Sequence, residues 1–330
     1  MMKTNLKTTL ARAALLIPLL AAHVPPAFAQ EYPSGNVRLV VPYPPGGGVD
    51  GLARPLADKL TTLWGKPVIV ENKAGAATII GSDFVAKAKP DGLTLLFTSD
   101  STVTSNPHLY AQMPFDPMKD LVPVTQLIDL YQMVVVHPSV KANTMKEFVA
   151  LAKSLPQPMN YASYGSGSQP NLLFEALKLE TGIRLEHIPY KGIAPAIQAT
   201  LSNEVQMTLG GAATTGQYFA AGKMKPLAIS APRRSAVHPD VPTLAEAGFP
   251  DIGPRAWFGI FAPRGTPQAV LDRISRDIAS TMADPAFDAA QLSSKGYQRV
   301  ASTPREFAAF VAQDFKHKGR VIKDSGIKLD

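Results

Sequence analysis

Two glycine-rich loops are the parts of this sequence best suited to bind an anion. One spans residues 44–48 and follows the apolar run 37–41; the other spans residues 164–168 and follows the run 160–162. Each leads from a predicted strand into a predicted helix, so unpaired N–H groups and the positive end of a helix dipole would face a ligand. Glycine also lets the backbone approach that ligand closely. The simplest prediction is one small carboxylate held between both loops.

The elements that position these loops alternate between strands and helices. Predicted strands at 37–42, 67–71 and 93–98 are separated by helical stretches, and the alternation returns in the second half of the chain. This pattern is typical of an α/β protein with mainly parallel sheets flanked by helices, which bind ligands beyond the carboxyl ends of the strands. Because Pro55 is unfavourable inside a helix, we expect the first helix to start irregularly or after Gly51.

The two loops are predicted to lie in different lobes. Lobe 1 would comprise residues 30–130 and 258–330, and lobe 2 would comprise residues 131–257. No proline- or serine-rich linker separates the lobes, so the chain would cross between them twice through extended segments. Two such crossings make a hinge.

The N-terminal residues 1–29 have the pattern of an export signal. Lys3, Lys7 and Arg12 give a basic start, residues 13–22 form an apolar core, and a small-x-small site ends at Ala29. A membrane anchor is the alternative, but the apolar stretch is shorter than the roughly twenty residues that a spanning helix needs. We therefore predict cleavage after Ala29 and a periplasmic location.

Composition excludes several classes of function. The chain has 33 lysines and arginines against 26 acids, and Arg233-Arg234 is its only basic doublet, which argues against a nucleic-acid partner. The mild positive charge favours anionic ligands. With no cysteine there can be no disulfide, zinc-thiolate site or thiol nucleophile, and the scattered histidines form no metal signature. We expect neither a cofactor nor a metal.

A dinucleotide-binding enzyme must be weighed because Gly46, Gly48 and Gly51 match the Gly-x-Gly-x-x-Gly fingerprint, with Glu71 placed where a ribose-binding acid would lie. The prolines just before the glycines stiffen a segment that normally turns directly from strand into glycine. An exported protein also meets no nicotinamide pool. These points argue against an oxidoreductase.

A hydrolase is the alternative from a different class. Ser166 and Ser168 lie near the predicted start of a helix, where either could act chemically or merely cap the helix. Neither lies in a Gly-x-Ser-x-Gly elbow, and His187 has no visible carboxylate to orient it. An exported hydrolase of an aromatic ester or amide stays open.

Ordered motifs along the chain resemble one known family. After the predicted signal, essentially the whole sequence resembles the Bug-type, TctC-like solute receptors of tripartite tricarboxylate transporters. The motifs that carry the resemblance are VVPYPPGGGVD at 40–50, ENKAGA at 71–76, AKPDG at 88–92, NPHLY at 106–110, YASYGSGS at 161–168, HIPYKG at 187–192, PDVPT at 239–243 and APRGTP at 262–267.

The resemblance implies a two-lobed, periplasmic-binding-protein-like fold with the ligand in the interlobe cleft. It further implies a monomeric receptor that performs no chemistry and delivers a small carboxylate to membrane permease subunits. The residues that it implies as ligand contacts are Tyr43, Gly46, Gly47, Gly48, Thr98, Ser99, Asp100, Tyr164, Ser166, Gly167, Ser168 and, near the closing edge, Trp257.

Two departures from the family pattern bear on the ligand. Asn171 stands where the family usually has a histidine, and Gln206 followed by residues 210–212 stands where an acid is common. A ligand ammonium would want a carboxylate partner. We therefore favour a dicarboxylate or an aromatic carboxylate over an amino acid. A sensor receptor that presents its ligand to a signalling protein is a further reading of the same sequence.

Overall fold

The computed structural model describes residues 32–235, 237–250, 252 and 255–329. The predicted export signal lies outside these ranges. Among the helices within them, none has the length and apolarity that a bilayer crossing requires. The strands are β1 (Val37–Val41), β2 (Val68–Asn72), β3 (Thr94–Ser99), β4 (Leu121–Leu130), β5 (Gln132–Val136), β6 (Met159–Ser163), β7 (Leu185–Pro189), β8 (Met207–Gly211), β9 (Lys225–Ser230), β10 (Ala256–Pro263) and β11 (Tyr297–Arg299).

Helices connect most of these strands. The helices are α1 (Gly48–Trp64), α2 (Ile79–Ala86), α3 (Asn106–Leu109), α4 (Pro117–Asp120), α5 (Met145–Ser154), α6 (Gln169–Thr181), α7 (Ile193–Leu201), α8 (Ala212–Ala220), α9 (Gln268–Ala283), α10 (Pro285–Phe287) and α11 (Pro304–Ser325).

The strands form two sheets, in the orders β11-β4-β10-β3-β1-β2 and β7-β6-β8-β5-β9. The two-lobed α/β architecture is therefore confirmed. The sheets are mixed rather than mainly parallel: β1 and β6 have parallel neighbours, whereas β10 runs antiparallel to β3 and β4, and β5 runs antiparallel to β8 and β9. The antiparallel pairs involve strands next to the points where the chain passes between the sheets: β4 and β10 in the first sheet, and β5 in the second.

Helix α1 contains Pro55 and yet begins at Gly48, so the expectation of a late or irregular start is wrong. A proline cannot donate to the carbonyl four residues earlier. Here that carbonyl, Gly51 O, accepts a hydrogen bond from Lys295 Nζ at 3.3 Å. The lysine thus supplies part of the hydrogen bonding that the proline removes.

Helix α11 packs against the hydrophobic cores of both sheets. Near its start, Phe307 and Val311 are buried in the core that contains Trp257 of the first sheet. Near its end, Val321 and Ile322 are buried in the core of the second sheet. Both sheets therefore pack against this helix, whereas the predicted division assigned all of residues 258–330 to lobe 1.

Candidate functional site

The first loop, residues 44–48, turns one of its own backbone donors toward a buried acid. The Gly46 N–H donates to Asp50 Oδ2 at 2.9 Å. Arg54 Nη2 and Asn72 Nδ2 each donate to Asp50 Oδ1 at 2.8 Å. In this arrangement Gly46 has no N–H left for a ligand, although it was predicted as a contact.

Asp50 carries its charge at neutral pH. Burial by itself would raise the pKa of this carboxyl, but the hydrogen bonds from Arg54, Gly46 and Asn72 outweigh that effect and hold the pKa below its ordinary value. The start of α1 thus already faces one carboxylate, which Arg54 partly neutralises.

Gly47 and Gly48 provide the remaining donors of this loop. Gly47 precedes α1 in extended conformation without a side-chain cap, and in the described ranges no backbone acceptor is bonded to either N–H. A Cβ at Gly48 would lie 3.1 Å from Tyr297 Oη and 3.4 Å from Phe258 Cζ. These two aromatic residues border the loop and were missed, because Tyr297 lies in a three-residue edge strand far along the chain.

The hydroxyl of Tyr43 joins the first loop to the end of β3. Its Oη lies 2.7 Å from Ser99 Oγ and 3.3 Å from Thr98 Oγ1. Thr102, which also lies 3.3 Å from Tyr43 Oη, continues this chain of hydroxyls to Thr78 at 2.9 Å. The structure thus brings together Tyr43, Thr98 and Ser99, all predicted contacts. It adds Thr78 and Thr102, of which only Thr102 lies in the hydroxyl-rich stretch after β3 that could have indicated it.

A strained turn lies next to these hydroxyls. Ala76, Ala77 and Thr78 have φ values of 44°, 50° and 81°, the left-handed region that non-glycine residues avoid. Asn106 Nδ2 holds the turn by donating to Ala77 O at 2.8 Å. Backbone strain of this kind persists only where surrounding contacts enforce it.

Asp100 follows β3 and is bound to a buried lysine. Lys318 Nζ lies 2.6 Å from Asp100 Oδ2 and 2.9 Å from Asp314 Oδ2. Burial raises the pKa of Asp100, and the neighbouring Asp314 adds to the effect, whereas Lys318 opposes it. Sequence reasoning missed Lys318, since nothing local links it to the loop.

Trp257 is a core residue, which corrects its prediction as an aromatic at the closing edge. Its side chain is fully buried and packs edge-on against Phe307, with 5.2 Å between ring centroids. The indole N–H donates to Asp314 Oδ2 at 2.9 Å. The apolar character of β10, which is buried along its whole length, directs this side chain inward.

The second loop, residues 164–168, also uses its donors internally. Gly167 N–H donates to Asn171 Oδ1 at 2.8 Å, and Asn171 Nδ2 donates to Tyr161 Oη at 2.8 Å. The Ser168 hydroxyl donates to Gly165 O, whereas Ser166 is exposed. Helix α6 starts directly after Ser168 and has no side-chain cap at that position.

The second loop packs against α3, the helix that follows the hydroxyl-rich stretch after β3. A Cβ at Gly167 would lie 2.3 Å from Cδ1 of Leu109, which ends α3 and is buried in the core of the second sheet. The Tyr164 hydroxyl is near enough to Asp100, at the end of β3, to respond to the charge of that carboxylate. Burial is the largest cause that raises the pKa of Tyr164, and the charge of Asp100 raises it further. Hydrogen bonds with the Gln132 side chain and the Gln169 N–H oppose the rise.

One serine and one histidine do touch each other, but the serine is Ser163 and not the loop residues Ser166 or Ser168. Ser163 Oγ lies 2.6 Å from His187 Nε2, but Ser163 is fully buried and also bonds the backbone of Gly165. His187 stacks on Tyr161 with 5.0 Å between centroids. This contact is one of packing and turn formation. Within the described ranges, no cluster of His, Asp and Glu could hold a metal ion.

The comparisons with known proteins agree on one family. The model of the tripartite tricarboxylate transporter family receptor, TctC, matches residues 52–327. The protein BugT of Bordetella pertussis is 34% identical over 92% of this chain and 93% of its own length. A solved structure of R. palustris Rpa4515 with adipate is 28% identical, covers 90% of this chain and 99% of its own, and has a TM-score of 0.75. The structure of MatC from Rhodopseudomonas palustris with bound malate is 27% identical, covers 88% and 100%, and has a TM-score of 0.70.

Proposed function

The chain belongs to the TctC family of tripartite tricarboxylate transporter receptors, and we propose that it captures a small organic carboxylate between its two lobes for delivery to a membrane permease. The single observation that supports this proposal is that the second loop lies beside the end of β3. Tyr164 is near enough to Asp100 for that carboxylate to raise its pKa, and Gly167 packs against Leu109 of α3, which follows β3 along the chain.

The proposed ligand contacts come from the starts of α1 and α6 and from the hydroxyls beside α1. Gly47 and Gly48 at the start of α1 offer N–H groups, and Tyr43 with Ser99 offers hydroxyls. On the opposite side, the start of α6 at Ser168 offers the positive end of a helix dipole. A carboxylate between these groups would receive charge-assisted hydrogen bonds, the strong kind.

A dicarboxylate or an aromatic carboxylate is the favoured ligand. The related structures with adipate and malate support a diacid. An amino acid would need a free carboxylate for its ammonium group, and Asp100 already binds Lys318. Gln206 is not available for this purpose, since its Oε1 accepts from the Asn160 N–H at 2.9 Å.

We propose lobe boundaries at 30–130 with 258–330 and at 131–257, with the end of α11 packed on the second lobe. Closure of the lobes would bring both loops within hydrogen-bonding distance of the ligand, so the ligand selects the closed form.

A thermal-shift panel followed by calorimetry tests the proposed function. The panel contains adipate, malate, benzoate and a set of amino acids. A rise in Tm with at least one diacid or aromatic acid, and recovery of that compound intact after incubation, is the expected result. Stabilisation by amino acids alone would contradict the ligand class, and turnover of an aromatic ester would contradict a receptor.

A further inference from the structure

Lys318 is the one lysine or arginine side chain that is fully buried in the part of the chain described here. Besides its two carboxylate partners, its Nζ lies 3.2 Å from Thr104 Oγ1. The carboxylates raise the pKa of Lys318 against the opposing effect of burial, so the ammonium is charged at neutral pH. A buried ammonium with this geometry is costly unless its partners compensate it.

The position of Asp100 creates an electrostatic difficulty for an anionic ligand. It follows Ser99, whose hydroxyl is bonded to Tyr43, and its charge reaches Tyr164 of the second loop. A buried carboxylate at this place would repel a ligand carboxylate. Asp314, which faces the same lysine, adds a second negative charge, and it is further held by Trp257 and Thr104.

Lys318 reaches this place from the helix that both lobes share. Val311 precedes it in the core of the first sheet, and Val321 follows it within one turn in the core of the second sheet. The neighbouring Gly319 is packed against His108, whose Cε1 would lie 2.6 Å from an added Cβ. Lys318 is thus held in place by a helix that packs on the cores of both sheets.

We propose that Lys318 is a positioning residue for ligand capture, whose ammonium offsets one of the two negative charges of Asp100 and Asp314 and so makes the end of β3 more compatible with an anionic ligand. This inference rests on the proposed function. In this proposal a residue outside both loops controls the charge at the site.

The test compares Lys318→Met with wild type by calorimetry, with adipate, malate and benzoate as probes. We expect Lys318→Met to weaken binding about tenfold at pH 7.5. The loss should shrink toward pH 5.5 as buried Asp100 takes up a proton beside the carboxylate of Asp314 and the uncharged Tyr164. Lys59→Met, which removes a half-exposed partner of Asp284, is the matched control and should bind as wild type does.

A second variant keeps the test decisive if Lys318→Met does not fold. Asp100→Asn removes the negative charge while Lys318 keeps Asp314, so affinity for the probes should rise about threefold or more. Unchanged or weaker binding by Asp100→Asn would overturn the inference, as would a Lys318→Met protein that has a lowered Tm but unaltered affinity at both pH values. Failure of wild type to bind any probe would instead contradict the proposed function.

Discussion

In both glycine loops a backbone N–H is bonded to a nearby side chain of the same segment, but that side chain is charged in the first loop and neutral in the second. In each, a loop glycine donates its N–H to the side chain four residues later: Gly46 to Asp50 and Gly167 to Asn171. The first acceptor is a carboxylate paired with Arg54, and the second is a neutral amide. Because α1 already faces a negative charge and α6 does not, we infer that the second loop attracts a ligand carboxylate more strongly.

The largest effect should come from placing a charge at the start of α6. Ser168→Asp would set a carboxylate where the ligand is expected, and we predict a loss of binding of about 100-fold or more. Calorimetry with the acid found in the thermal-shift panel measures this. Ser168→Ala is the matched control and should bind within a few-fold of wild type.

Gly47→Asp makes the corresponding change in the first loop. It should also abolish most binding, through repulsion of the ligand beside a helix start that already carries Asp50. If either aspartate variant kept wild-type affinity, its loop would not hold the ligand carboxylate.

Asn171→Asp copies the chemistry of the first loop into the second, but without an arginine partner. We predict affinity about tenfold weaker at pH 7.5, because the new carboxylate cancels part of the attraction of α6. The comparison of Asn171→Asp with Asn171→Ser by calorimetry separates charge from loss of the amide. Equal affinities for the two variants would remove the electrostatic distinction between the loops.

Asp50 should make folding stability depend on pH. Its pKa is lowered in the folded protein, so its contribution is present above the unfolded value of 3.8 and is lost as the pH falls through the folded value. Asp50→Asn should therefore cost about 1–3 kcal/mol of unfolding free energy at pH 7 and progressively less below pH 4. Denaturant unfolding at several pH values checks this, and a constant difference would contradict it.

The smallest effect concerns the strained turn that flanks only the first loop. Ala77 has a φ of 50°, so Ala77→Gly should stabilise the protein by about 1 kcal/mol. Ala74 has no positive φ, and Ala74→Gly should give no gain. Thermal unfolding of both variants measures the difference, and equal Tm values would argue that the turn relaxes in solution.

What could be predicted from the sequence was local. The loop-bearing strands and both glycine loops follow from apolar runs that end in glycine, and residues 98–105 carry the hydroxyls that surround Tyr43. Lys318 could not be predicted, because it pairs with Asp100 across 218 positions of sequence. Trp257 was misplaced because its position near a crossing does not indicate which side of the strand its ring occupies.

The internal acceptors of the two loops were also beyond sequence reasoning. Asp50 and Asn171 each lie one helical turn after a loop glycine, a spacing that the sequence displays but whose hydrogen bonds depend on the start of each helix. Such bonds remove Gly46 and Gly167 from the set of free donors.

A crystal structure of the protein with the carboxylate identified by the thermal-shift panel tests the central claim most directly. We predict a ligand carboxylate within hydrogen-bonding distance of both the first loop, at Gly47 or Gly48, and the second loop, at the start of α6. A ligand that touched only one loop would contradict the account. So would a ligand in the surface cavity of about 790 Å³ between α1 and α9, which includes Pro55 and Phe287.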